Sequence, residues 1–279
     1  MKSEKKKINT AKALIYTALT LVSLASLFPF YWMFVMGTNT NQAINQTPPV
    51  VVPGGNMGEN FQNVLNSIPF FQAMLNSLIV SSSITIGVLF LCSLAGFAFA
   101  KFIFPGRTIL FIFILATMMI PPQLSLIPQY FIITELGWLS DLRAVIVPGL
   151  MNAFGIFWMR QYIASAVPDD IIESARIDGC SNFRIYWNII VPIVLPAFAT
   201  LGIIVFMAIW GDYLWPLVVL QDQSTHTIQV ALASLMDGRV LDYGMVLAGT
   251  FWATVPLIII FLLFNRLFIR SITEGAVKS

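Results

Sequence analysis

PDDIIESARIDGCSNFRIYWNIIVP, residues 168–192, is the stretch on which the fold turns, because it is a polar insertion that leads straight into a long apolar run. Pro168 followed by Asp169 and Asp170 sets a helix start: proline suits a first turn, and carboxylates there complement the positive end of the helix dipole. Ile171, Ile172 and Ala175 give this helix an apolar face. Gly179 sits where a helix ends in a left-handed cap, a conformation that glycine adopts without a Cβ penalty. Ser181 can cap a second helix, on which Phe183, Tyr186, Trp187 and Ile190 recur at the i, i+3, i+4, i+7 spacing of one face. Taken alone, that stripe also suits an interfacial helix, with Tyr186 and Trp187 at headgroup level and Arg184 reaching lipid phosphate.

Outward from this insertion, the chain is 58% hydrophobic and only 10% charged over 279 residues, too little polar surface to cover a water-soluble globule of that size. A bilayer core needs about 20 predominantly apolar residues per helix. Six segments meet or approach that length: Ala13 to Met36, Met74 to Phe99, Ile109 to Ile133, Ala144 to Met159, Val191 to Leu220 and Met245 to Phe268. The fourth is the shortest, and a boundary past Arg160 would lengthen it. Prolines fall inside the third, fifth and sixth, where membrane helices tolerate the kink if neighbours satisfy the freed carbonyl. The start after Lys5, Lys6 and Lys7 resembles a secretory signal, but its apolar run is too long for one, so it is read as an uncleaved first helix.

Orientation follows from where the cations fall. With the N-terminus inside, every one of the 15 Lys and Arg residues except Arg143 and Arg239 lies on the cytoplasmic side. The reading is an all-α integral membrane protein of six spans with both termini cytoplasmic: a tail over residues 1–12, a membrane domain over 13–268 with its cytoplasmic loop at 161–190, and a second tail over 269–279. Residues 37–69, 134–143 and 221–244 then form the outer loops. A net charge of +2 gives no field for nucleic acid, and Cys92 and Cys180 have neither disulfide nor metal-ligand spacing.

Within the insertion, Glu173, Ala175, Gly179, Ile189 and Pro192 match the E-A-A, three residues, G, nine residues, I, one residue, L-P signature of binding-protein-dependent ABC importer permeases. Ser174 and Val191 depart from it by small changes of volume. The chain resembles the carbohydrate, maltose-type branch of that family also at LNSLIV (75–80), FPGR (104–107), LIPQY (126–130), AFGIFWMRQ (153–161), DYLWPLVVL (212–220) and GAVKS (275–279). The resemblance implies a type I importer fold in a bacterial-type inner membrane. It implies half of a translocation pore for a sugar or oligosaccharide, working with a second permease, two ATPase subunits and an extracytoplasmic solute-binding protein. It also implies a cytoplasmic coupling helix that docks in the ATPase, with Glu173, Ser174, Ala175, Arg176, Asp178, Gly179, Ile189 and Pro192 as the coupling residues. Asp237 and Gly238, in the outer loop 221–244, are the implied contact with the binding protein.

The remaining candidates come from chemistry. Without a G-x-x-x-x-G-K-[ST] loop the chain cannot cradle nucleotide phosphates, so ATP and its Mg²⁺ are expected on the partners, and no cofactor or metal on this chain. No paired-carboxylate, Ser-His-Asp or Cys-His set suggests an enzyme. His226 is read as a solvated loop residue. Asp212 is the ionisable residue within a span, a costly placement that usually has a function. With Trp210, Tyr213 and Trp215 it could form part of a sugar pathway, or an outer interfacial belt. The same architecture could import another polar metabolite such as glycerol phosphate, and an ion-coupled transporter is the rival class.

Overall fold

The computed structural model describes residues 2–236 and 241–276, with side chains placed for 12–236 and 241–263. All regular structure among them is helical: α1 (Lys2–Gly37), α2 (Asn41–Ile44), α3 (Met57–Ser67), α4 (Phe70–Lys101), α5 (Arg107–Thr117), α6 (Leu126–Glu135), α7 (Arg143–Gly149), α8 (Ala153–Ala166), α9 (Asp169–Ile177), α10 (Asn182–Ile185), α11 (Val191–Trp210), α12 (Leu214–Val219), α13 (Ile228–Ser234) and α14 (Tyr243–Ala276). Four helical runs are long and apolar enough to cross a membrane: 12–37, 70–101, 182–210 and 243–263. A bent pair, α5 with residues 122–135, makes a fifth if it is one span. Over residues 12–31 of α1 the apolar side chains are exposed on every face, Leu14 at 67% and Leu24 at 60%, a surface that lipid solvates and water does not.

Three of the expected spans are broken. The third bends by 93° between α5 and the stretch from Pro122, because Pro121 and Pro122 both lack the N–H that would continue the ladder. The fourth divides at 150–152, after Pro148 and Gly149. Asn152 restarts the helix by accepting the Gly155 N–H at 2.7 Å, and α8 then runs past Arg160 to Ala166. The fifth ends at Trp210, and a short α12 follows after residues 211–213.

The chain divides into two compact units. In the first, residues 1–68 and 232–255, Asn60 donates to the carbonyls of Gly37 and Asn39 at 2.8 and 2.9 Å, and Asn41 donates to Leu241 at 2.8 Å. The Asn60 amide thus satisfies carbonyls that the turn after α1 leaves without helical partners. The second unit, residues 69–231 and 256–279, has its core where α4 packs on α8 and α11. Small residues allow the close approach: a Cβ on Gly96 would lie 2.8 Å from Arg160 N, and one on Gly155 would lie 2.8 Å from Cys92 Sγ. Cys92 and Cys180 are free thiols.

Candidate coupling site

The insertion forms the two helices that its sequence encodes. Pro168 precedes α9 in an extended conformation, and Asp169 and Asp170 occupy the first turn. The helix closes in a Schellman motif: Cys180 N–H donates to the Ala175 carbonyl at 2.9 Å, and Gly179 N–H to that of Arg176 at 3.0 Å. Gly179 has φ +77°, as its left-handed cap requires. Ser181 Oγ then accepts the Arg184 N–H at 3.3 Å and caps α10.

On α9 the inward face is narrower than the sequence pattern suggests. Ile172 and Ala175 are buried, whereas Ile171 is 41% exposed and Ile177 87%. Glu173, Ser174, Arg176 and Asp178 all lie outward. Among the described residues the Glu173 carboxylate has no ion pair. Ser174 Oγ donates back to the Asp170 carbonyl, and the Arg176 guanidinium stands over the Phe102 ring at 5.8 Å. Beside the helix an open cleft of about 790 Å³ is lined by Lys101, Arg107, Asp169, Glu173, Arg176 and Asn182 among others. The lining is mixed in charge, and the Asp169 carboxyl is held below its usual range by the hydrogen bond and the charge of Lys101.

The second helix departs from its α-helical spacing. Residues Tyr186–Ile190 form a π turn, which inserts an extra residue per turn and rotates the register. Ile185, Tyr186 and Ile190 therefore face the core, while Phe183 and Trp187 are 62% and 45% exposed. Tyr186 is consequently not a headgroup residue: it is buried at 1% exposure and bonded to Ser93 on α4. Ile189 is half-buried, and Pro192 is exposed immediately after the π turn, at the start of α11. Through the π turn, residues 182–210 make one continuous helical run from the loop into the membrane segment.

The four pathway candidates are not presented alike. Trp210 is buried at 1% exposure, stacked on Phe206 at 5.7 Å, and its indole N–H has no partner among the described residues. Trp215 spends its N–H on the Ala144 carbonyl at 3.0 Å. Tyr213 is exposed, and Asp212, just ahead of α12, is half-buried. Asp237 and Gly238 lie outside the described residues. His226, expected in solvent, is half-buried: Asn76 on α4 donates to the carbonyls of Ser224 and His226 at 2.9 and 3.0 Å and seats the loop. That anchor gave no sequence signal, since a polar asparagine inside an apolar run reads as a tolerated exception. The same holds for Lys101, which the sequence marks only as a cytoplasmic cation.

Comparison with known proteins gives the family. Residues 92–274 match the family model described as binding-protein-dependent transport system inner membrane component. The chain is 35% identical over 209 residues to the arabinooligosaccharides transport system permease protein of Bacillus subtilis (strain 168), covering 75% of this chain and 74% of that one. It is 33% identical to the lactose transport system permease protein of Rhizobium radiobacter, covering 94% and 95%. It is 31% identical to the sn-glycerol-3-phosphate transport system permease protein of Shigella flexneri serotype 5b (strain 8401), covering 93% and 95%. In fold it resembles a chain of a bacterial ABC transporter involved in the import of the acidic polysaccharide alginate, with a TM-score of 0.79 at 23% identity over 91% of this chain and 95% of that one. The protein belongs to the binding-protein-dependent transport system inner membrane components, the permease subunits of ABC importers.

Proposed function

We propose that the chain forms half of the translocation pore of an importer for a sugar or oligosaccharide, and that α9 is the helix through which ATPase subunits drive it. The second permease completes the pore, the ATPases carry ATP and Mg²⁺, and an extracytoplasmic binding protein delivers the solute. Six spans with both termini in the cytoplasm fit the distribution of lysine and arginine. The observation that carries the reading is the construction of α9, which is fixed to its own chain by Ile172 and Ala175 and leaves Glu173, Arg176 and Ile177 open to a partner.

A sugar substrate is supported by the arabinooligosaccharide and lactose relatives. A second reading, import of a glycerol phosphate, is favoured by the glycerol-3-phosphate permease that matches over nearly the whole chain. Uptake assays on a deletion strain, with candidate oligosaccharides and glycerol 3-phosphate as labelled solutes, separate the two. Loss of oligosaccharide uptake with glycerol phosphate uptake intact is the expected result, and the reverse pattern supports the second reading. Uptake that survives ATP depletion but collapses with an ionophore would overturn both in favour of ion coupling.

A further inference from the structure

One ammonium group ties three helices together at the corner where α9 begins. Lys101 is the last residue of α4, with a side chain only 5% exposed. Its Nζ donates to Asp169 Oδ1 at 2.6 Å and to the Val167 carbonyl at 2.6 Å. Val167 caps the C-terminus of α8, and Asp169 is the first residue of α9, so both sides of the Pro168 corner are held from a third element. A buried ammonium without partners is costly, which makes these bonds obligatory for the folded corner. The corner is fixed further because α4 and α8 approach closely at Gly96, where a Cβ would lie 2.8 Å from Arg160 N and from Met159 Cβ.

The far end of α9 is built differently. Ile177 is 87% exposed, Asp178 and Gly179 are exposed, and the chain turns there through the left-handed Gly179 before α10. The helix is thus tied to its neighbours at its start, while its end is exposed.

Building on the coupling role given to α9 above, we propose that Lys101 is a positioning residue that rivets the start of α9 to α4 and α8. A push on α9 then moves α4 and α8 as one body, while Gly179 absorbs the change of angle towards α11. Lys101 touches no solute; it sets the direction in which the ATPase stroke is delivered.

The test uses the assembled transporter in vesicles, with a nitroxide on Asp170→Cys, an exposed first-turn position, in a Cys180→Ser background. Lys101→Met should raise the mobility of the label and lower solute imported per ATP hydrolysed about tenfold, with the ATPase still bound. Lys101→Arg, which keeps charge and donors, should restore both. Asp169→Asn, a side chain 76% exposed whose loss leaves the Val167 bond in place, should give a smaller effect in the same direction. A parental transporter that couples normally, together with Lys101→Met and Asp169→Asn variants of unchanged mobility and coupling, would overturn the rivet. Coupling lost without a change in mobility would overturn it too. A parental complex that never links hydrolysis to uptake refutes instead the functional reading on which the rivet rests.

Discussion

The Tyr186 hydroxyl lies 2.7 Å from Ser93 Oγ, and both residues are buried between the π turn and α4. Ser93 Oγ also donates to the Phe90 carbonyl at 3.0 Å, which uses its single proton, so Tyr186 is the donor of the pair. The consequences of removing each partner are therefore unequal. Tyr186→Phe leaves Ser93 satisfied and should cost about 1 kcal/mol, the net worth of one hydrogen bond. Ser93→Ala strands a buried phenol donor and should cost more, about 1–3 kcal/mol. The double variant should sit close to Tyr186→Phe. Thermal unfolding in detergent measures the order, and a Ser93→Ala variant more stable than Tyr186→Phe contradicts the assignment of the donor.

A topological prediction follows from the cations. A reporter fused after Lys101 or Arg160 should read as cytoplasmic, and one fused near Gly55 or Gln223 as external. An external signal from Arg160 would reverse the whole orientation, because the basic turn Lys101 to Arg107 is assigned to the same side as that residue.

The local chemistry of the insertion was legible in the sequence. The left-handed cap at Gly179, the Ser181 cap and the start at Pro168 each depend on one residue type at one position, and local rules of that kind do not need the rest of the fold. The breaks in the spans were less legible. Hydropathy sums over a window and is blind to a 93° bend at Pro121 and Pro122, since a broken apolar run is as apolar as a straight one. The π turn was hidden for a related reason: its extra residue changes which side chains share a face, and an i, i+3, i+4, i+7 pattern assumes the turn is regular. Lys101 and Asn76 were missed because their partners, Val167 with Asp169 and Ser224 with His226, lie far away along the chain, and only the packing of α4 brings them together.

The loop after α12 should respond to acid. Burial pushes the His226 imidazole below its ordinary range, opposed by its bond to Leu220 and the charge of Asp222. A folded-state value below the unfolded one means that the neutral form is the one the fold prefers. Stability of the seated loop is then complete above the unfolded value, about 6.5, and is lost as pH falls through the lower folded value. Hydrogen exchange over residues 221–231, corrected for intrinsic rates, should show constant protection from pH 8 to 7 and declining protection below. In His226→Gln the decline should vanish; a decline of the same size in that variant would assign it to another group.

The sharpest prediction concerns what a change on α9 does not do. Glu173 is exposed and has no ion pair among the described residues, so Glu173→Lys should leave the stability of the isolated permease within about 0.5 kcal/mol. At Gly179 no atom lies within 4 Å of a Cβ, so within this chain a substitution meets backbone strain only, on the order of 1 kcal/mol for the left-handed conformation. Gly179→Ala and Gly179→Asp should therefore both insert and fold, with small losses in melting temperature. If α9 is gripped by an ATPase, the same open space is filled in the complex, and the larger aspartate should then cost far more than alanine. The measurement is retention of the ATPase on a tagged permease, with hydrolysis stimulated by solute-loaded binding protein in vesicles. Glu173→Lys and Gly179→Asp should fail in retention or stimulation, with Gly179→Ala intermediate. Wild-type behaviour in all three would mean that the outward face of α9 meets no partner.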